Sequence, residues 1–177
     1  MSDSIRSYIH QEFERLKQTS PVLFSLIETT SYGFAVITTD YHLVEVNSRM
    51  LELFPGIDVS QYPACYRCLY GQTDTQCRGC PAERCLSTGT KETAHIETPE
   101  GQPYSCYKVS CTPLTDAQGS VWGILEIAED VTTTMAREQE LREIATQRRQ
   151  ILDNANDAII AFNQDGIIVK MNKKAVQ

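Results

Sequence analysis

The sequence predicts an α+β domain on a five-stranded antiparallel sheet, and three observations lead there. Two short strand patterns come early, short helical patterns follow, and three further strand patterns close the domain before Thr132. The strongest strand patterns are joined by turn-forming clusters short enough for antiparallel neighbours. From Thr132 the texture changes to a run without Gly or Pro that is rich in helix formers.

At the amino end, Ile5, Tyr8, Ile9, Phe13 and Leu16 recur at helical spacing, with charged residues on the other faces. This predicts an amphipathic helix over 4–16. A second helix is expected in TSPVLFSLIETT, with Ser20 as N-cap and Pro21 at its first position. Residues 1–28 are therefore read as N-terminal helices. In GFAVITTDYHLVEVN, residues 34–38 form a β-branched run, 39–42 suit a tight turn, and 43–46 alternate into a second strand. Asn47 then opens SRMLELF, a helical pattern closed by Pro55-Gly56.

After a cysteine-rich segment, residues 92–98 alternate weakly, and Pro99-Glu100-Gly101-Gln102 reads as a turn. Residues 104–114 and 121–127 are the strongest strand patterns, joined by the hairpin-type loop TDAQG. In the polar run that follows, Leu141, Ile144, Arg148 and Ile151 keep the 3-4-3 spacing of a coiled-coil seam. A lone solvated helix is the alternative, but a helix this polar needs a partner to stay folded. The expectation is a homodimer through the N-terminal helices and a linker helix over 133–150.

Composition excludes several classes. Hydrophobic residues make up 41% of the 177, enough for a real core, and the net charge of −7 is spread along the chain. No Lys/Arg run offers a phosphate-binding footprint, so nucleic acid is not an expected partner. There is no 18-residue apolar stretch, and MSDSIRSYIHQEFERLK is charged and helix-like, unlike a signal peptide. A cytoplasmic chain without direct membrane contact is expected. No Ser/His/Asp set, P-loop or paired acids stand out, so the reading is not an enzyme. His10 and His42 are read as surface residues.

LIETTSYGFAVITTDYHLVEVN (26–47) lines up without gaps on ILDNANDAIIAFNQDGIIVKMN (151–172), at an offset of 125. Asp40 falls on Asp165, Val44 on Val169 and Asn47 on Asn172. Both copies resemble the opening of a PAS domain, the sensory fold of bacterial signalling proteins. The carrying residues are FAVITTDYHLVEVN, with Asn47 opening the next helix, and the closing GSVWGILEIAEDVT, with Gly119, Gly123, Glu126 and Asp130-Val131-Thr132. The resemblance implies a PAS-like sheet with short helices on one face over 29–132, a signalling helix beyond it, and the truncated start of a second PAS domain at 151–177. It also implies a longer multidomain protein whose output domain is a histidine kinase or a nucleotide cyclase. Asp130 or Thr132 is placed to cap the output helix. The Asn-Cys-Arg motif by which light-sensing relatives attach flavin is missing.

Residues 65–85 read CYRCLYGQTDTQCRGCPAERC, five of the chain's seven cysteines in twenty-one positions. Without an export signal, clustered thiols point to metal binding or redox chemistry more than to structural disulfides. Two Cys-x2-Cys pairs, Cys65/Cys68 and Cys77/Cys80, can complete a tetrahedral four-sulfur site for zinc or an iron-sulfur cluster. Cys-Tyr at 65–66, Gly71 and the Cys-x2-Cys-Pro of 77–81 resemble a cysteine-bearing variety of PAS domain, which supports Cys65, Cys77 and Cys80. The fourth ligand stays open between Cys68, Cys85 and Cys111. Cys106 and Cys111 are odd-spaced on one strand and are expected on opposite faces. His95 is a minor candidate for a pocket ligand. Trp122 and the tyrosines at 66, 70, 104 and 107 are read as packing.

The expected function is a cytoplasmic sensor whose cysteine-ligated centre reports redox or metal state to a coiled coil. Its rivals are a zinc-riveted domain that only binds or dimerises, and a thiol-disulfide oxidoreductase, which the missing βαβ frame disfavours.

Overall fold

The computed structural model describes residues 2–69, 77, 79–98 and 104–176, with side chains from residue 7. Gly71, Tyr70, Arg78 and the turn expected at Pro99-Glu100-Gly101-Gln102 lie outside the described residues. The chain divides into two compact units, Met1–Thr132 and Thr133–Gln177.

The first unit begins with α1 (Ser2–Thr19) and α2 (Pro21–Thr29). Pro21 stands in the first turn of α2 as expected, but Ser20 makes no side-chain cap. Its amide still bonds the Leu16 carbonyl at 2.9 Å and its carbonyl takes the Phe24 amide at 3.1 Å, so the backbone bridges the two helices directly. Strands β1 (Gly33–Thr38) and β2 (Leu43–Val46) follow, turning at Tyr41, whose φ is 65°. Next come α3 (Ser48–Leu53), a 3-10 turn at Val59–Gln61, α4 (Cys65–Cys68) and α5 (Pro81–Thr88). Strands β3 (Glu92–Glu97), β4 (Cys106–Thr115) and β5 (Val121–Asp130) complete the unit. The sheet order is β2-β1-β5-β4-β3, every neighbour antiparallel, which is the expected α+β architecture. β5 is central, and it outruns its sequence pattern because Asp130 still pairs with Tyr107.

Alternation sorts the two faces. Ala35, Ile37, Val109, Ile124 and Ala128 face α3–α5 and build the main core. On the other face, Val36 and Val44 pack beneath Ile9 and Phe13 of α1. His10, read as a plain surface residue, instead meets Glu45 across this interface, Nδ1 to Oε1, at 2.6 Å. His42 is half-buried, 3.4 Å from Asp40, because the β1–β2 turn folds it back. A Cβ on Gly123 would stand 3.0 Å from the Ile37 carbonyl oxygen, so β5 needs glycine to lie this close to β1.

Asn47 ties the amino half together. It is 2% exposed, and its Oδ1 accepts from the amides of Phe34 (2.8 Å) and Met50 (3.0 Å). Its Nδ2 donates to the carbonyls of Ile27 (2.9 Å) and Tyr32 (3.0 Å). One side chain thereby caps α3 and fixes the approach of α2 to β1.

The second unit holds α6 (Thr132–Asp153, from Thr133 on), β6 (Ile160–Phe162), β7 (Ile168–Met171) and a 3-10 turn at Lys173–Val176. Here Asn172 repeats every bond of Asn47 at the same offset of 125. Its Oδ1 accepts from Ile159 and Ala175, and its Nδ2 donates to Leu152 and Asp157, all at 2.9–3.1 Å. Leu141, Ile144 and Ile151 stand exposed along α6. Among the described residues, no helix is long and apolar enough to cross a membrane.

Candidate functional site

The cysteine segment is anchored at both ends. The Cys65 amide donates to the Tyr41 carbonyl at 2.8 Å and the Leu43 amide to the Pro63 carbonyl at 2.9 Å, which docks the start of α4 on the β1–β2 turn. At the far end, the Cys80 amide bonds the Cys77 carbonyl at 3.0 Å, closing a tight turn in which Gly79 takes φ 69°. Glycine is the residue for that left-handed position. Arg84 of α5 then staples the turn to the sheet: Nη1 donates to the Gly79 carbonyl at 2.6 Å, Nη2 to Thr93 at 3.2 Å, and Nε to the Glu92 carboxylate at 3.2 Å. No spacing in the sequence signals this role, because it depends on where β3 passes.

Cys65, Cys77, Cys80, Cys85 and Cys111 are all buried in the main core, with half-buried Cys68 packed against it. Cys106 is buried but lies outside that group, so the odd spacing did separate it from Cys111. Burial raises its thiol, with the Glu97 charge adding to it. His95 is exposed on β3, beside Lys108, and does not enter the core.

A carboxylate stands among these thiols. Glu126 of β5 is 4% exposed on the core face, paired across the sheet with Ala35 on one side and Cys111 on the other. The Cys111 thiol donates to its Oε2 at 3.6 Å. Burial pushes the Cys77 thiol up to about 12 and the Cys68 thiol up to about 11, with the Glu126 charge adding to both. Burial and then Glu126 likewise raise Cys65 and Cys111, while Cys80 is raised chiefly by burial. Burial also raises Cys85, with Glu92 adding to it.

Among the described residues, no three Cys, His, Asp or Glu side chains stand as a closed ligating group. The donors are nevertheless of the kind a soft or borderline cation takes: thiols sharing one buried core, with an acid on the same sheet face.

The domain's exit is also tied. The Asp130 Oδ1 accepts from the Thr132 amide (2.9 Å) and hydroxyl (2.6 Å). The Cys106 amide in turn donates to the Thr132 hydroxyl at 2.9 Å. Asp130 is thus the residue that meets the first amide of α6.

A family model described as PAS fold matches residues 27–136. No curated protein matches the sequence. Among solved structures, an RNA-binding light-oxygen-voltage receptor is 20% identical with a TM-score of 0.55, over 72% of this chain and 37% of that one. The PAS domain of the fruit-fly ELK potassium channel is 13% identical with a TM-score of 0.48, over 64% and 98%. A sensory box sensor histidine kinase from Vibrio cholerae is 15% identical with a TM-score of 0.44, over 68% and 98%. The first of these likenesses shows the fold alone, and the chain spans little more than a third of that receptor.

Proposed function

The chain belongs to the PAS fold family, and from that premise we propose that residues 29–132 are a sensor module whose sensing element is the thiol group on the core face of the sheet. Cys65, Cys77 and Cys80 hold zinc or an iron-sulfur cluster, with a fourth donor beside them. When bound, zinc would supply a fixed clamp and a cluster would supply one-electron redox chemistry. The observation that carries this reading is that the cysteines of separate loop turns share one buried core with Glu126 of the central strand. The residues themselves anchor the loop: Arg84 and Gly79 hold the Cys77–Cys80 turn, and α4 is pinned to Tyr41.

The central strand that bears Glu126 runs to Asp130 and the first amide of α6, which supports a relay from thiol site to output helix. Coupling on the order of 1–3 kcal/mol would suffice. The exposed Leu141, Ile144 and Ile151 support a dimeric coiled coil, and the repeated asparagine network supports the start of a second PAS domain at 151–177. A histidine kinase or nucleotide cyclase output and a cytoplasmic location complete the reading. The oxidoreductase alternative is weakened, because a catalytic thiol needs a lowered pKa and these are raised. The zinc rivet remains the second reading, favoured by how fully the site is buried.

Changing Cys77 and Cys80 together to serine is the direct test. Metal content per chain is expected to fall at least about tenfold, as lost ligation demands. Unchanged metal content would move the site elsewhere.

A further inference from the structure

The outer face of the sheet, across from the thiols, carries a cavity of about 140 Å³ beneath the N-terminal helices. Alternation along β1 turns Phe34 and Val36 to this side, and Val36 pairs across to Leu125 of β5. These three form the floor. Phe13 of α1 and Phe24 and Ile27 of α2 form the roof. All six are apolar and none is exposed.

Four polar side chains also reach the wall, and each already has a partner. Lys17 donates to Glu14 and stands 5.3 Å from the centre of the Phe24 ring. Glu28 accepts from the Ser48 amide at 2.9 Å and from the Ser48 hydroxyl. Glu45 meets His10 at 2.6 Å. Asn47 is engaged with four backbone groups. A charged or amide-bearing ligand would have to break one of these pairs or bury its own polar group unmatched, and either is costly.

Size then narrows the class. A cavity of about 150 Å³ lined by Leu, Ile and Phe takes benzene, so the space here is on the scale of one six-membered ring. Phenylalanines at three points of the wall favour an aromatic ring, whose edge and face both find partners.

We propose that this cavity is a binding site for a small, neutral aromatic molecule of one ring, held between α1, α2 and the strands β1 and β5. The site is separate from the thiol reading. Phe34, Val36 and Leu125 alternate with Ala35, Ile37 and Ile124, which belong to the core that holds the thiols. A ligand here touches both N-terminal helices and the central strand at once, so its binding tightens the hold of those helices on the sheet. Because it binds the folded state alone, it also raises stability by mass action.

The test uses the whole chain, with benzene as the probe and benzoate as its charged control. Methyl NMR spectra of the wild type are expected to shift with benzene at Ile27, Val36 and Leu125, while Ile37, Val109 and Ile124 of the thiol face stay in place. The urea midpoint is expected to rise with benzene and to stay unchanged with benzoate. Leu125→Trp fills the cavity from the sheet side and is expected to weaken benzene binding at least about tenfold. Should that variant fail to fold, the methyl shifts of the wild type still decide. Shifts on the thiol face instead, or no shift in water saturated with benzene, overturn the inference. Full affinity in a folded Leu125→Trp, or equal stabilisation by benzoate, does the same. Each of these results leaves the thiol reading standing.

Discussion

Asn47→Ala is expected to destabilise the first unit by about 3–5 kcal/mol, since leaving a buried polar group unpaired costs about 1–3 kcal/mol and relaxation recovers part of the sum. The side chain is 2% exposed and serves four backbone groups: the amides of Phe34 and Met50 and the carbonyls of Ile27 and Tyr32. Alanine strands all four. Asn47→Asp keeps the acceptor and loses both donors, so it should fall between the two. Urea unfolding followed by the single tryptophan, Trp122 of β5, reports this unit. The matching Asn172→Ala should leave that transition in place. Equal stability for Asn47→Ala and the wild type would mean that α2, β1 and α3 are not held by this residue.

The metal-free chain should lose stability steeply as the pH is raised. Burial holds Cys77 at about 12 and Cys68 at about 11, and it raises Cys65, Cys80 and Cys111 as well. In the unfolded chain these thiols titrate near 8.5. Between those values the folded domain keeps protons that the unfolded chain releases. The thiols' contribution is therefore fully present below about pH 8.5 and is lost as the pH climbs through the folded values. Each well-buried thiol adds a slope of up to about 1.4 kcal/mol per pH unit, while half-buried Cys68 counts for less. Urea midpoints taken under reductant at pH 7, 8.5 and 10 measure it. A flat profile from 8.5 to 10 would show that the thiols are not buried in the folded domain. The same protonation should make alkylation of the folded, metal-free chain much slower than that of the unfolded one.

The fold was legible in the sequence because its signals are local. FAVIT and LVEV alternate on either side of a turn, and the TDAQG loop sits between the two strongest strands. Helix ends were read less well: Ser20 stands where a cap belongs, yet its side chain makes no cap bond and its backbone bonds into both helices instead. The thiol segment was legible as a group, but the membership of the site was not. His10 and Arg84 take their roles from whatever the folded chain carries past them, and no spacing announces that. Glu126 was read only as part of the closing pattern of the domain. One signal for it was present. In VWGILEIAED, Ile124, Glu126 and Ala128 share a parity, so an acid falls in line with positions bound for a sheet face. Which face, and that Cys111 would lie opposite, depends on the β4–β5 register.

The proposal stands or falls on whether thiols from separated turns of the loop share one ion or cluster. The most direct measurement is metal analysis with a visible spectrum on chain purified without oxygen. The account predicts either about one zinc per chain and no colour, or iron with a broad absorption near 400 nm, in the manner of thiolate-bound centres. All seven cysteines titrating as free thiols, with neither metal above trace, would contradict it.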